Sequence, residues 1–163
     1  MKKLALLLSL ISISTFAEEN HPEKQYSIGL GMGAPYSGLG ANFSLLSKTD
    51  MKYVSLGCTE YSSRYGSSCG FGAGWIVTDL FDYDSNNHGL GVYVSKVGEE
   101  RYATLVDGKF RYYEDDYYGV GISYTYFMNG IDKSGTTFGV SIHATNADYD
   151  ARYGGLFQVG YQF

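Results

Sequence analysis

Large and small side chains take turns along most of this chain, a period of two that marks strands whose faces meet different surroundings. The first run sets Tyr26, Ile28, Leu30 and Met32 against Ser27, Gly29, Gly31 and Gly33. After an Ala34-Pro35-Tyr36-Ser37 turn, Leu39, Ala41, Phe43 and Leu45 oppose Gly38, Gly40, Asn42 and Ser44. A third run places Val54, Leu56 and Cys58 opposite Tyr53, Ser55 and Gly57. A fourth places Phe71, Ala73, Trp75 and Val77 opposite Gly70, Gly72 and Gly74, with Ile76 the exception. Leu90, Val92 and Val94 alternate with Gly89, Gly91, Tyr93 and Ser95 in the fifth; Tyr118, Val120, Ile122, Tyr124 and Tyr126 with Gly119, Gly121, Ser123 and Thr125 in the sixth. Phe138, Val140, Ile142 and Ala144 oppose Gly139, Ser141 and His143 in the seventh. Phe157, Val159, Tyr161 and Phe163 oppose Gln158, Gly160 and Gln162 in the eighth. Eight antiparallel strands in an all-β domain are predicted.

The composition of the small-residue face decides how such strands close. A soluble barrel shows water a face rich in Lys, Glu, Asp and Arg. Here that face is Gly, Ser, Asn, Gln and Thr with a few Tyr, and almost every charge falls between the runs. The opposite arrangement accounts for both faces. Bulky residues turn outward to lipid, small polar ones inward to a narrow lumen, and closure satisfies every backbone group. Trp75, Tyr124, Tyr126, Tyr26, Tyr161 and Phe163 lie near strand ends on the outward face, the place of an aromatic girdle. The expected fold is an eight-stranded antiparallel transmembrane β-barrel.

Residues 1–17 stand apart. Lys2 and Lys3 precede an apolar stretch at 4–13 and the small-x-Ala pattern Thr15-Phe16-Ala17, the features of a secretory signal peptide. The barrel domain is then 18–163, in one piece. Its composition, with 22 Gly and 17 Tyr, disfavours a helical domain, because Gly is a poor helix former. A formal net charge of -5 argues against nucleic acid as a partner. The two cysteines, Cys58 and Cys69, lie on either side of a turn signal, and export to an oxidising compartment favours a disulfide between them.

With these features the chain resembles the small eight-stranded outer-membrane barrels, the broad OmpA/OmpX/OmpW-like class. The resemblance covers nearly all of 18–163 but rests on architecture and one motif: Phe157-x-Val159-x-Tyr161-x-Phe163 is similar to the C-terminal signal that the barrel-assembly machinery reads. It implies a monomer in the outer membrane of a Gram-negative bacterium, in contact with outer-membrane lipids and lipopolysaccharide. It also implies both termini in the periplasm, so that the Cys58/Cys69 hairpin, the acidic connection 98–116 and the connection 145–152 are extracellular. Segments 47–52, 78–88 and 129–135 become periplasmic turns. The long connection 98–116 allows a short hairpin of its own around Asp107-Gly108, not counted in the wall.

Chemistry-bearing residues are few. His143-Ala144-Thr145-Asn146 resembles the His-x-Ser-Asn segment of PagL-type lipid A 3-O-deacylases, with Thr145 in place of the serine and no Glu in the following strand. A hydrolase needs an activated hydroxyl, a His base and an acid to orient it. The alternative for His143 is a lumen histidine bonded to a neighbouring Tyr or Ser. Asp82-Tyr83-Asp84-Ser85-Asn86-Asn87 begins like a calcium loop, but Tyr93 stands where the closing Glu belongs. No catalytic, cofactor-binding or metal-binding residue is assigned. The expected role is that of a non-enzymatic barrel acting through its extracellular loops, with a narrow porin-like pore for small solutes and a lipid A deacylase as alternatives.

Overall fold

The computed structural model describes residues 25–62, 66–80, 85–106 and 108–163. The signal-peptide expectation for 1–17 and the acidic residues of the calcium-like segment, Asp82 and Asp84, lie outside them. Eight strands form: β1 (Gln25–Gly33), β2 (Gly38–Leu46), β3 (Asp50–Ser62), β4 (Gly66–Val77), β5 (His88–Val106), β6 (Lys109–Phe127), β7 (Gly135–Thr145) and β8 (Tyr153–Gln162). They close into one antiparallel barrel in sequence order, β8 returning to β1 through the pairs Gly29↔Gln162 to Met32↔Val159. Beside this seam Phe163 N–H donates to the Ile28 carbonyl at 2.9 Å, and the Ser27 hydroxyl donates to the Phe163 carbonyl at 2.9 Å.

The wall is inverted relative to a water-soluble barrel. Inside are Ser27, Asn42, Ser44, Ser55, Ser95, Ser123, Thr125, Ser141, His143 and Gln158, all buried. Outside are Ile28, Leu30, Phe43, Val54, Leu56, Phe71, Val92, Val120, Ile122, Val140, Ile142 and Phe157, all exposed. The strand register explains why the phase survives around the circle. Straight cross-strand pairs such as Val54↔Ala73, Ala73↔Val94, Val94↔Val120 and Val120↔Ala144 keep like residues on one face.

Cys58 and Cys69 are directly opposed on β3 and β4 and form the expected disulfide. At the end of the barrel where β1 begins and β8 ends, aromatic rings sit in a band on the outside. Tyr26 stacks on Phe43 with centroids 5.7 Å apart, Tyr161 meets Phe163 at 4.9 Å, and His88 meets Tyr126 at 5.1 Å. Trp75 belongs to the same band and donates its indole N–H to Asp50 Oδ2 at 3.1 Å.

Two expectations need correction. The hairpin expected within 98–116 is present, closed by the pair Val106↔Lys109, but it takes up the whole segment rather than a small part of a loop. β5 and β6 continue through it as regular strands, paired from Gly98↔Tyr117 to Val106↔Lys109 after a bulge between Lys96 and Gly98. Polar residues on both faces erase the alternation there, so the pattern fell silent where the strands did not. The connection read as 47–52 is also shorter, because β3 already begins at Asp50. Ser47 acts as an early brace for it, taking the Asp50 amide proton at 3.0 Å and giving its hydroxyl proton to the Asp50 carboxylate.

Candidate functional site

A barrel of eight strands leaves an interior that side chains can fill. Here a turn fills it as well. The β1–β2 connection does not cap the barrel from outside: Ala34, Pro35, Tyr36 and Ser37 are all buried. Gly33 (φ 110°) and Gly38 (φ 97°) close the hairpin on either side of the turn in backbone conformations that favour glycine, and Ser37 itself is left-handed at φ 53°. Polar groups hold the turn in place. The Tyr36 and Thr137 hydroxyls are 3.2 Å apart, those of Ser37 and Ser55 are 2.8 Å apart, and Asn42 donates its amide to the Pro35 carbonyl at 3.1 Å.

This turn supplies the cause of the lumen glycines that surround it. A methyl group on Gly40 would lie 2.6 Å from the Tyr36 carbonyl oxygen, one on Gly31 2.7 Å from its ring, and one on Gly72 2.6 Å from the Ser37 hydroxyl. Gly57 and Gly160 face the turn more closely still, against the Tyr36 carbonyl and hydroxyl. The terminal end of the lumen is closed by apolar groups: Leu46, Met51, Ile76, Phe127 and Ile131 are buried together. Ile131 reaches in from the β6–β7 connection, with its carbonyl accepting from Gln162 Nε2 at 2.9 Å. Ile76, the exception to the alternation, thus points inward as part of this floor. Between turn and floor remains a cavity of about 10 Å³, lined in part by Tyr36, Asn42, Ile76 and Phe127. That is space for one water at most.

At the opposite end, β5 and β6 rise above the wall. β4 pairs with β5 only as far as Ser95, and β7 with β6 only as far as Gly119, so from there upward the two strands pair with each other alone. Isolated two-stranded ribbons are marginal in water, and this one is braced at its foot. Glu100 Oε1 accepts the backbone N–H groups of Tyr149 and Asp150, each at 2.8 Å. The Tyr102 ring stacks on Tyr113 at 5.5 Å and meets Tyr149 at 4.9 Å. Tyr117 donates its hydroxyl to Asp150 at 3.1 Å, and Arg101 lies 2.9 Å from Glu99, 3.4 Å from Glu114 and 3.7 Å from Glu60. Lys96, only 3% exposed, is paired with Asp116 and lays its stem over Gly70.

The Tyr102 hydroxyl donates to Asp115 at 2.7 Å, and this hydrogen bond, with a smaller contribution from desolvation, leaves its pKa pushed up to about 12. Arg101 is pushed above its usual range: desolvation, the largest single influence, lowers it, and the surrounding Glu99, Glu114 and Glu60 carboxylates together outweigh that. Beyond the braces the hairpin is bare. Phe110 is 70% and Tyr112 84% exposed, next to the cations Lys109 and Arg111.

The other residues singled out in the sequence fall as follows. His143 is buried in the lumen with its Nδ1 3.0 Å from the Tyr93 hydroxyl, and among the described residues no carboxylate is bonded to it. Thr145 donates instead to the Ala151 carbonyl at 3.0 Å and accepts from the Ala147 amide, so the two residues serve different neighbours. Phe157, Val159, Tyr161 and Phe163 share the outer face of β8 and its end. Among the described residues no group of three or more His, Cys, Asp or Glu is placed to hold a metal. Sequence reasoning missed the inward turn; its signal was the row of glycines on neighbouring strands, which had no local reason to be there. Compared with known protein families, with characterised proteins and with solved structures, the chain matches none.

Proposed function

We propose that this chain is an integral outer-membrane barrel of a Gram-negative cell, sealed through its middle, whose working part is the raised β5–β6 hairpin acting as a surface-contact element. The observation that carries the reading is the inverted wall: exposed aliphatic and aromatic residues around the outside, and serine, threonine, asparagine and glutamine within. In water such a surface would cost about 25 cal/mol for each Å² of apolar area left wet; in hydrocarbon it costs nothing. The aromatic band at the terminal end and the small polar lumen support the same placement. From Tyr126 to Tyr118 on β6 is about eight residue steps, which at the usual strand rise and tilt spans about 20 Å of bilayer.

The filled lumen speaks for a sealed barrel over the pore alternative, since a solute would have to displace both the Tyr36 turn and the Ile131 floor. The separate partners of His143 and Thr145 leave the deacylase alternative without an activated hydroxyl. What projects from the wall is the hairpin, and loops on a rigid scaffold are where barrels of this kind interact.

Two measurements test the proposal. Outer-membrane fractions should hold a species that migrates faster unboiled than boiled; recovery as a monodisperse species in aqueous buffer without detergent would refute membrane insertion. Trypsin added to intact cells should cut at Lys109 or Arg111 and leave the barrel whole. Cleavage only after the cells are broken would place the hairpin on the periplasmic side and refute the surface role.

A further inference from the structure

The raised hairpin has two outer edges, and they differ. β7 accompanies β6 only to Gly119; the next contact on that side is Asn146, which donates its N–H to the Tyr118 carbonyl at 3.1 Å and accepts the Tyr118 N–H at 2.7 Å. Backbone groups turn to alternate sides along a strand, so those of Asp116, Glu114, Tyr112 and Phe110 point to the same edge as those of Tyr118. Among the described residues no backbone group pairs with them there, and every residue from Lys109 to Asp116 is exposed. An unpaired edge is a template for another strand unless a bulge, a proline or a cover blocks it. The bulge at the hairpin's foot lies in β5, and 109–116 hold no proline. The β5 edge is less open: its one cation, Arg101, already lies among Glu60, Glu99 and Glu114.

The β6 edge is complementary to itself. Lys109-Phe110-Arg111-Tyr112-Tyr113-Glu114-Asp115-Asp116 carries cations at one end and carboxylates at the other, so a copy laid antiparallel sets each end against its opposite. Directly opposed residues either both turn their backbone groups to each other or both turn them away, which allows a two-fold axis only through a residue and its own counterpart. An axis through Arg111 or Glu114 would oppose like charges, and one through Tyr112 gives a shorter ladder. An axis through Tyr113 opposes Arg111 to Asp115 twice and places Lys109 diagonal to the same carboxylate. It joins Tyr112 to Glu114 and Phe110 to Asp116 by backbone bonds. Asp115 accepts from Tyr102 at 2.7 Å and, as a carboxylate, has lone pairs left for a guanidinium.

Resting on the surface role proposed above, we infer that a second copy of this chain adds to the free edge of β6 in this register, joining two hairpins into one four-stranded sheet. The contact is isologous, each copy giving and receiving the same strand. Strand direction fixes where the second copy stands. β6 runs from the tip back to the wall at a tilt of about 40°, so two β6 strands rising from one membrane cannot lie antiparallel. Facing membranes supply the geometry, and the contact is a homophilic junction between two opposed surfaces.

The test is clustering of phosphatidylcholine vesicles carrying the full chain, followed by light scattering. Wild-type vesicles should cluster. Arg111→Asp and Asp115→Arg should each slow clustering by about tenfold, the size of reversing two exposed cross-strand charge pairs, and mixing vesicles of the two variants should restore it, because both pairs then re-form with opposite polarity. Tyr112→Pro removes an edge N–H while leaving the β5 ladder whole, and should abolish clustering. Heat-modifiability of each variant shows that the barrel is intact. Clustering that survives Tyr112→Pro and both charge reversals, or variants that fail to complement each other, would overturn the pairing. Wild-type vesicles that stay apart while trypsin still cuts at Lys109 or Arg111 would overturn it and leave the surface role standing. A chain that fails to float with the vesicles would defeat the membrane reading and the pairing with it.

Discussion

The body of the barrel and the raised hairpin are built from the same antiparallel pairing, yet they are held by different means. In the body each strand has two neighbours, the outward residues are apolar, and the lumen is filled by a buried turn and an apolar floor. In the hairpin each strand has one neighbour and every residue of β6 from Lys109 to Asp116 is exposed. Closure makes the body cooperative, because no strand can leave without opening two ladders. The hairpin depends on side chains at its foot: Glu100 on two loop amides, the Tyr102–Tyr113–Tyr149 rings and Arg101 among three glutamates. A substitution should therefore travel through the whole structure in the first region and stay local in the second.

The largest effect is expected at Gly57. A side chain there meets the Tyr36 and Ser37 carbonyl oxygens, which are backbone and cannot swing aside. Gly57→Val should cost about 3 kcal/mol or more, read as loss of the heat-modifiable form after refolding. Tyr36→Ala removes the ring that fills the lumen and should lower unfolding stability in detergent by about 3 kcal/mol, the cost of a large aromatic cavity. Glu100→Ala should leave global unfolding unchanged and raise hydrogen exchange at Tyr149 and Asp150 by about tenfold, the worth of a hydrogen bond to a charged acceptor. Replacing residues 100–115 with Asn-Gly should shift the barrel's unfolding by no more than about 1 kcal/mol. A cooperative collapse on such trimming would erase the distinction between the two regions.

The smallest effect concerns pH. Because the neutral Tyr102 phenol is the form that donates to Asp115, its raised pKa means that the contact is fully present below the ordinary tyrosine value near 10. It is lost as pH rises through about 12. Absorbance at 295 nm, compared between the wild type and Tyr102→Phe, should show one phenol titrating late. Barrel circular dichroism should not follow it.

The strands of the wall were legible because each face meets one kind of neighbour, and the alternation records that directly. From Tyr26 to Met32 and from Phe157 to Phe163 every outward position is bulky and every inward one small or polar. The disulfide was legible for a similar reason, since a hairpin places Cys58 and Cys69 face to face. The length of the hairpin above the wall was not, because Arg111, Glu114 and Asp115 lie on an exposed stretch of β6 where no hydrophobic period exists to be read. Nor was the direction of the Ala34–Tyr36 turn. An Ala-Pro-Tyr-Ser segment turns equally well outward or inward, and only distant residues on β3, β4 and β8 decide between them.

The inward turn also constrains the order in which the molecule can be made. Tyr36 belongs to the first hairpin to emerge from synthesis, but it rests against Gly160 and Thr137 on the last two strands. The seam between β1 and β8 has only four residue pairs. Zipping that short seam and docking the tyrosine are consequently a single event: a cylinder that closed first would shut its own stopper outside.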